Sequence, residues 1–275
     1  MSSSVLPDGR GPANRAGRLN PVSGGRFPAL LATLSLVVIV AGWEVAARSG
    51  MFSPSLLPAP EDVIQAARQM ADQGTLLADG AASFRRALSG FALGSSVAIV
   101  VAALTGTSLV ARALLEPVIQ VLRPIPAIAL VPLAILWFGI GEESKLFLTS
   151  VGVFFPVWVN SHAGIAATRT DYLRVAASVG ATRGQVFGWV VLPSALPFIL
   201  TGLRQGIAMS LILIVASEQA GVTEGLGFRL DQSRLFSQPD RLLACLAALG
   251  ILGALTDQVF HRATRRYVRW ATEQA

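Results

Sequence analysis

Long apolar runs recur along the chain, separated by shorter polar segments. Six of them can cross about 30 Å of hydrocarbon, which requires roughly 20 helical residues. Their approximate limits are 27–47, 87–106, 117–140, 146–167, 196–217 and 242–260. Because backbone polar groups in lipid must be satisfied within the segment, each run is predicted to be helical. The pattern predicts an all-α integral membrane protein with six transmembrane helices.

The third run is the one most interrupted by proline. Pro124, Pro126 and Pro132 each remove a backbone donor, so kinks are predicted there. The second run contains small residues, among them Gly90 and Gly94, which suit close contacts between helices.

A polar, amphipathic segment, residues 171–193, separates the fourth and fifth runs. Its apolar residues recur at helical spacing, at Val175, Val179, Val186 and Val190. Gly180 interrupts the helix, and Thr182 with Gln185 three residues later has the pattern of a capping box. Two short helices joined at Gly180 and ending at Pro193 are therefore predicted. A surface helix lying on the lipid would have the same spacing and is the alternative interpretation.

Composition excludes a soluble domain. The 275 residues are 53% hydrophobic and 14% charged, with a mean hydropathy of +0.59. The net charge of +6 comes almost wholly from arginine, since Lys145 is the only lysine. Basic segments of a membrane protein indicate first cytoplasmic retention and only weakly nucleic-acid binding. Cys245, the only cysteine, lies in an apolar run and is interpreted as a small buried hydrophobe.

An even number of spans places both termini on one side of the bilayer. Residues 1–26 are predicted to be a disordered cytoplasmic tail, 27–260 the transmembrane domain, and 261–275 a basic cytoplasmic tail. With this orientation the inner segments hold twelve arginines and the outer segments eight basic residues, which favours cytoplasmic termini. Arg85 and Arg86 fall on the outer side and are assigned to the interface, with snorkelling stems.

Two outer segments carry local signals. Pro60, followed by Glu61 and Asp62, predicts the start of an interfacial helix. The segment 221–240 contains Gly225-Leu226-Gly227 and is predicted to be the longest late outer loop.

The segment 171–193 resembles the EAA loop of ABC importer permeases. That loop has an E-A-A triplet, three residues, a glycine, nine residues, and an ending in I-x-L-P. The matching residues here are Arg174, Val175, Ala176, Gly180, Leu192 and Pro193. Arg174 stands where the family usually has Glu. The resemblance implies that the loop, with Thr182 starting its second helix, docks into a groove on a cytoplasmic ATPase.

Further motifs resemble the nitrate, taurine and aliphatic-sulfonate branch of these permeases. They are Arg123-Pro124-Ile125-Pro126, Leu136 to Gly141, Phe154-Phe155-Pro156, Gly202-Leu203-Arg204 and Gly225-Leu226-Gly227. The resemblance implies a type I importer in the bacterial plasma membrane. Its partners would be a second permease copy (a homodimer), two cytoplasmic ABC ATPase subunits and an extracytoplasmic solute-binding protein. ATP and Mg²⁺ would be bound by the ATPase partner, and this chain would bind no cofactor.

Catalytic patterns are missing from the sequence. It has no Walker A motif, no G-x-S-x-G motif and no histidine or cysteine cluster for a metal, so an enzymatic role is not expected. His162 is interpreted as a packing residue. A membrane-embedded enzyme, or the anchoring subunit of one, is the alternative function.

Charged residues within the runs are candidates for the translocation path, because charge in lipid is costly. Glu218 could line the path or pair with an arginine of a neighbouring helix. Arg204 and Arg123 could attract an anionic solute or snorkel to the inner headgroups. The function predicted is the permease subunit of an ATP-driven importer for a sulfonate, taurine or nitrate.

Overall fold

The computed structural model describes residues 26–53 and 55–268, and every regular element within those ranges is helical. The α-helices are α1 Arg26–Arg48, α2 Pro60–Asp72, α3 Thr75–Thr107, α4 Leu109–Leu122, α5 Val131–Phe138, α6 Glu142–Ala166, α7 Thr170–Ser178, α8 Arg183–Val186, α9 Leu192–Glu218, α10 Leu226–Leu235 and α11 Pro239–Val268. A 3₁₀ turn, Ala127–Leu130, precedes α5, and a π-helical segment, Phe187–Val191, joins α8 to α9. The predicted all-α fold is confirmed.

Four helical stretches in the described ranges are each long and apolar enough to cross a membrane. They are Thr75–Thr107, Glu142–Ala166, Arg183–Glu218 and Pro239–Arg265, and they coincide with the second, fourth, fifth and sixth predicted runs. A bent pair of helices at the third run would make five. The first run corresponds to α1, whose main contact is with α2.

The third run is broken and not merely kinked, because α4 and the stretch Ala127–Phe138 meet at 86°. Pro124 and Pro126 lack the backbone donors that would continue the helical hydrogen bonds, and α4 ends at Leu122. Pro132 lies in the first turn of α5, where no donor is needed. The kink predicted at Pro132 is therefore wrong, since that proline starts a helix.

Helices α3, α6 and α9 form the centre of the bundle. Gly94 of α3 lies directly against the backbone of Ser150 in α6, and a Cβ there would overlap the Ser150 carbonyl oxygen. On the other side of α6, Gly202 and Gly206 of α9 pack against Val157. Small residues thus allow the close backbone approach expected of membrane helices.

Helices α2 and α10 cover one side of α11. Val63 and Met70 of α2 lie in one apolar cluster with Leu230 of α10 and Cys245 of α11. The prediction of a helix beginning at Pro60 is confirmed, as is the burial of Cys245.

The two predicted tails are only partly within the described ranges. Residues 1–25 and 269–275 lie outside them. Residues 261–268 continue α11, so the last helix extends beyond its predicted end at residue 260.

Candidate functional site

The bend predicted at Gly180 is present and has a defined geometry. Gly180 has a φ of +75°, the Gly180 N–H donates to the Ala177 oxygen (3.0 Å), and the Ala181 N–H donates to the Ala176 oxygen (3.1 Å). These two bonds form a Schellman cap at the end of α7. A Cβ at Gly180 would meet no atom of the described chain within 4 Å. Glycine is therefore required at this position by the left-handed backbone conformation. It is not required by a close contact with another described residue.

The second short helix begins as predicted. The Thr182 N–H donates to Oε1 of Gln185 at 2.8 Å, and the Gln185 N–H donates to Oγ1 of Thr182 at 3.4 Å. This capping box satisfies two donors at the start of α8. The bend and the start of the next helix are thus both determined by residues close together in the sequence.

The predicted ending at Pro193 is wrong. Helix α8 continues through the π-helical segment 187–191 into α9, and Pro193 is the second residue of α9. The Leu192 N–H donates to the Phe187 oxygen, five residues back, so the widened turn accommodates a proline without breaking the helix. The segment 170–193, here called the coupling segment, is therefore continuous with the fifth span.

The coupling segment exposes apolar side chains. Val179 is 76% exposed and Trp189 is 77% exposed, whereas Ala176 is buried. Between α7 and the π-helical segment lies a groove of about 810 Å³, lined among others by Tyr172, Val175, Val179, Val186 and Trp189. Arg174 is exposed and has no ion-pair partner among the described residues. Contiguous exposed apolar area of this kind is typical of a protein-binding surface.

The opposite end of the bundle holds a buried polar cluster centred on Arg86. Only 5% of the Arg86 side chain is exposed. Its Nε donates to both carboxylate oxygens of Glu142 (2.9 Å each), Nη1 to Glu218 Oε1 (2.9 Å) and Nη2 to Glu224 Oε1 (3.0 Å). The prediction that Arg86 snorkels at the interface is therefore wrong, because three carboxylates compensate its desolvation. Arg85, by contrast, is 75% exposed.

Glu218 is fully buried and fully partnered in this cluster. Ser83 Oγ donates to its Oε2 at 2.7 Å, and the Gly227 N–H donates to the same oxygen at 3.0 Å. Gly225 has a φ of +123°, and a Cβ there would overlap the Glu218 carboxylate. Of the two roles considered for Glu218, its position is that of a residue paired to an arginine.

The same cluster also holds the segment that follows α9 in place. Asp79 of α3 accepts from the Gly225 N–H at 2.8 Å and pairs with Arg229 of α10. The predicted long loop 221–240 is therefore shorter than expected, because α10 and the start of α11 lie within it. We call Asp79, Ser83, Arg86, Glu142, Glu218, Glu224 and Arg229 the Arg86 cluster.

The other candidate path residues differ from one another. Arg204 forms a bidentate ion pair with Asp257 of α11, with N–O distances of 2.6 and 2.7 Å. Arg123 caps the C-terminal end of α4 and has no ion-pair partner among the described residues. It lines a cavity of about 520 Å³ together with Asn160 of α6 and Gln205 of α9. The sequence interpretation missed both Asn160 and Gln205. Single polar residues within apolar runs gave no pattern to detect.

His162 is a packing residue in this structure. Its ring stacks on Trp158 at 5.2 Å, and its Nδ1 lies 2.9 Å from Thr105 Oγ1. Within residues 26–53 and 55–268, no group of three His, Cys, Asp or Glu side chains could hold a metal ion.

Comparison with known proteins adds to this geometry. Residues 90–269 match the model of the family described as "Binding-protein-dependent transport system inner membrane component". The taurine transport system permease protein TauC of Escherichia coli K12 is 36% identical over 87% of this chain and 89% of its own. The aliphatic sulfonates transport permease protein SsuC of the same strain is 35% identical over 85% and 89%. An amino acid ABC transporter structure covers 72% of this chain and 97% of its own with a TM-score of 0.61 and 16% identity, a likeness of fold.

Proposed function

The chain belongs to the family of binding-protein-dependent transport system inner membrane components, and from this premise we propose that it carries a small anion through an ATP-driven importer. The candidate anions are an aliphatic sulfonate, taurine or nitrate. The chain is a permease subunit and not itself an enzyme, and the ATPase is a separate subunit. Its apolar helices make it a multi-pass protein of the inner membrane.

The observation that carries the proposal is the geometry of the coupling segment. Its Schellman cap at Gly180 and capping box at Thr182 hold two short helices at a fixed bend, and apolar side chains are exposed beside it. This arrangement suits a surface that docks on an ATPase which binds ATP and Mg²⁺, while this chain binds no cofactor. Closure of the ATPases would then move α6 and α9, the two helices that flank the segment.

The substrate class is supported by the named relatives and by charge. Two relatives are named for taurine and aliphatic sulfonates, both of which carry a sulfonate group. Within the residues that the structure describes, Arg123 has no ion-pair partner, and it lines a cavity among the spanning helices. Nitrate, a smaller oxyanion, belongs to the same chemical class.

The assembly we propose pairs two copies of this chain around the path, with both termini and the coupling segment in the cytoplasm. The excess of arginine in the inner segments supports that orientation. A solute-binding protein would then dock at the other end, where the Arg86 cluster orders the outer segments.

Reconstitution tests the proposal. The permease, its ATPase and its binding protein are placed in liposomes, and ATP-dependent uptake of taurine, ethanesulfonate and nitrate is measured. We expect uptake of at least one of these anions, together with co-purification of the permease and ATPase. A permease that purifies without an ATPase and imports none of the three anions would refute the proposal.

A further inference from the structure

Three polar side chains line the cavity between α6, α9 and the break after α4. Arg123, Asn160 and Gln205 line it together with the apolar residues Phe155, Pro156, Val159, Ala208 and Met209, and its volume is about 520 Å³. Gln205 lies near the middle of α9, so the cavity is at the depth of the hydrocarbon and not at an end of the bundle. Polar groups at that depth face protein or water and mark solute paths.

A hydrogen bond fixes the orientation of the Gln205 amide. Asn160 Nδ2 donates to the Pro156 oxygen at 2.8 Å and to Gln205 Oε1 at 3.0 Å. Because Oε1 of Gln205 faces Asn160, its amide N–H groups point elsewhere. Within the described residues these N–H groups have no acceptor, which leaves them available to a ligand.

Arg123 differs from the other arginines among the spans. Arg86 is surrounded by three carboxylates, and Arg204 is neutralised by Asp257. Arg123 has no such partner in the part of the chain that the structure describes. An unpaired guanidinium at a cavity among membrane helices is a strong attractor for an anion, and its planar fork matches an oxyanion.

We infer that Arg123 and Gln205, with Asn160 orienting the amide, form a sulfonate-binding site on the translocation path. The guanidinium and the Gln205 N–H groups would bind the sulfonate oxygens, and Phe155, Val159 and Met209 would contact a short carbon chain. This inference rests on the proposed transport of anions and adds the place and the chemistry of recognition. Arg204, the other arginine considered for this role, is a structural ion pair and not part of the site.

Uptake and ATP hydrolysis, measured together in the reconstituted complex, test the site. Arg123→Gln removes the charge and keeps a hydrogen-bonding side chain, so we expect ethanesulfonate uptake to fall about tenfold or more. ATP hydrolysis stimulated by the binding protein should stay within about twofold, because the site does not touch the coupling segment. Arg123→Lys should restore part of the uptake. As a matched control, the double variant Arg204→Gln/Asp257→Asn removes a paired arginine and should keep uptake within about threefold.

A binding measurement separates recognition from transport. Ethanesulfonate and its neutral analogue ethyl methyl sulfone are titrated into the permease–ATPase complex without binding protein, and its thermal transition is followed. We expect ethanesulfonate, but not the sulfone, to raise the transition temperature of the wild-type complex. Arg123→Gln and Gln205→Leu should each abolish this rise. Equal shifts with both compounds, or wild-type uptake by Arg123→Gln, would overturn the site and leave the proposed function standing. A wild-type complex that imports nitrate but no sulfonate would also overturn it.

Discussion

At one end of the bundle the apolar side chains of Val179 and Trp189 lie exposed, whereas at the other end the charged side chain of Glu218 is fully buried. The coupling segment is formed by residues close in sequence, such as Thr182 and Gln185. The Arg86 cluster joins residues far apart, since Arg86 and Glu218 are separated by 132 positions. One end leaves apolar side chains exposed, and the other joins its charged side chains to one another within the chain.

Two helices connect these ends. Helix α6 begins at Glu142, a member of the Arg86 cluster, and ends just before α7. Helix α9 begins where the π-helical segment ends and finishes at Glu218. A displacement of the coupling segment is therefore expected to reach the Arg86 cluster through these two packed helices. Substitutions at one end and at the other should have different effects.

The largest effect is expected from Arg86→Leu. It leaves Glu218 buried without its arginine, and breaking a buried ion pair costs about 3–5 kcal/mol. We expect a marked loss of thermal stability in detergent and of abundance in the membrane. Arg85→Leu, at the exposed neighbour, is the matched control and should change neither. If both variants unfold at the same temperature, the cluster does not stabilise the fold.

Gly180→Asp should separate coupling from folding. A side chain in a left-handed backbone costs roughly 1–2 kcal/mol, and a charge is added on the surface proposed to meet the ATPase. Membrane abundance should stay normal, while ATPase stimulation and uptake are lost. Gly184→Asp is the control, because Gly184 has equally open space but lies in α8 without a positive φ. Wild-type uptake by Gly180→Asp would show that this bend is not used for coupling.

Thr182→Ala should have a smaller effect of the same kind. It removes the side-chain acceptor of the capping box, which costs about 1 kcal/mol of helix stability. We expect a reduced rate of uptake with normal membrane abundance, measured beside Thr182→Ser, which keeps the acceptor and should behave as wild type. Equal rates for the alanine and serine variants would mean that the cap does not matter for transport.

Arg174→Glu should have the smallest effect. It introduces the residue usual in the family at an exposed position that has no ion-pair partner within the described chain. Uptake is expected to stay within about twofold, since surface substitutions usually change stability by less than about 0.5 kcal/mol. A loss as large as that of Gly180→Asp would indicate an acidic partner for Arg174 on the ATPase.

Features encoded by neighbouring residues could be predicted from the sequence. The bend at Gly180, the capping box at Thr182 and the helix starting at Pro60 depend on residues within a few positions of one another, and all are present. Four of the six apolar runs also coincide with described helices long enough to span a membrane, because burial in lipid requires a long apolar segment. The proline pair at 124 and 126 indicated where the third run changes direction but not by what angle.

Features that depend on distant residues could not be predicted. The burial of Arg86 requires Glu142, Glu218 and Glu224, and nothing near Arg86 indicates them. The cavity that joins Arg123 to Gln205 likewise depends on how α6 and α9 pack. The π-helical segment before Pro193 was missed because the proline was interpreted as the end of a helix, whereas the i→i+5 turn lets the helix continue through it.

Photo-cross-linking tests the central difference between the two ends most directly. Cys245 is the only cysteine and is buried, so Cys245→Ala gives a thiol-free chain in which one exposed residue can be replaced by cysteine. A photoreactive maleimide is attached at Val179→Cys or, at the opposite end, Arg85→Cys, before the ATPase is added. We predict that illumination links the ATPase to position 179 and not to position 85. Cross-linking at position 85 with none at 179 would contradict the assignment of the coupling segment.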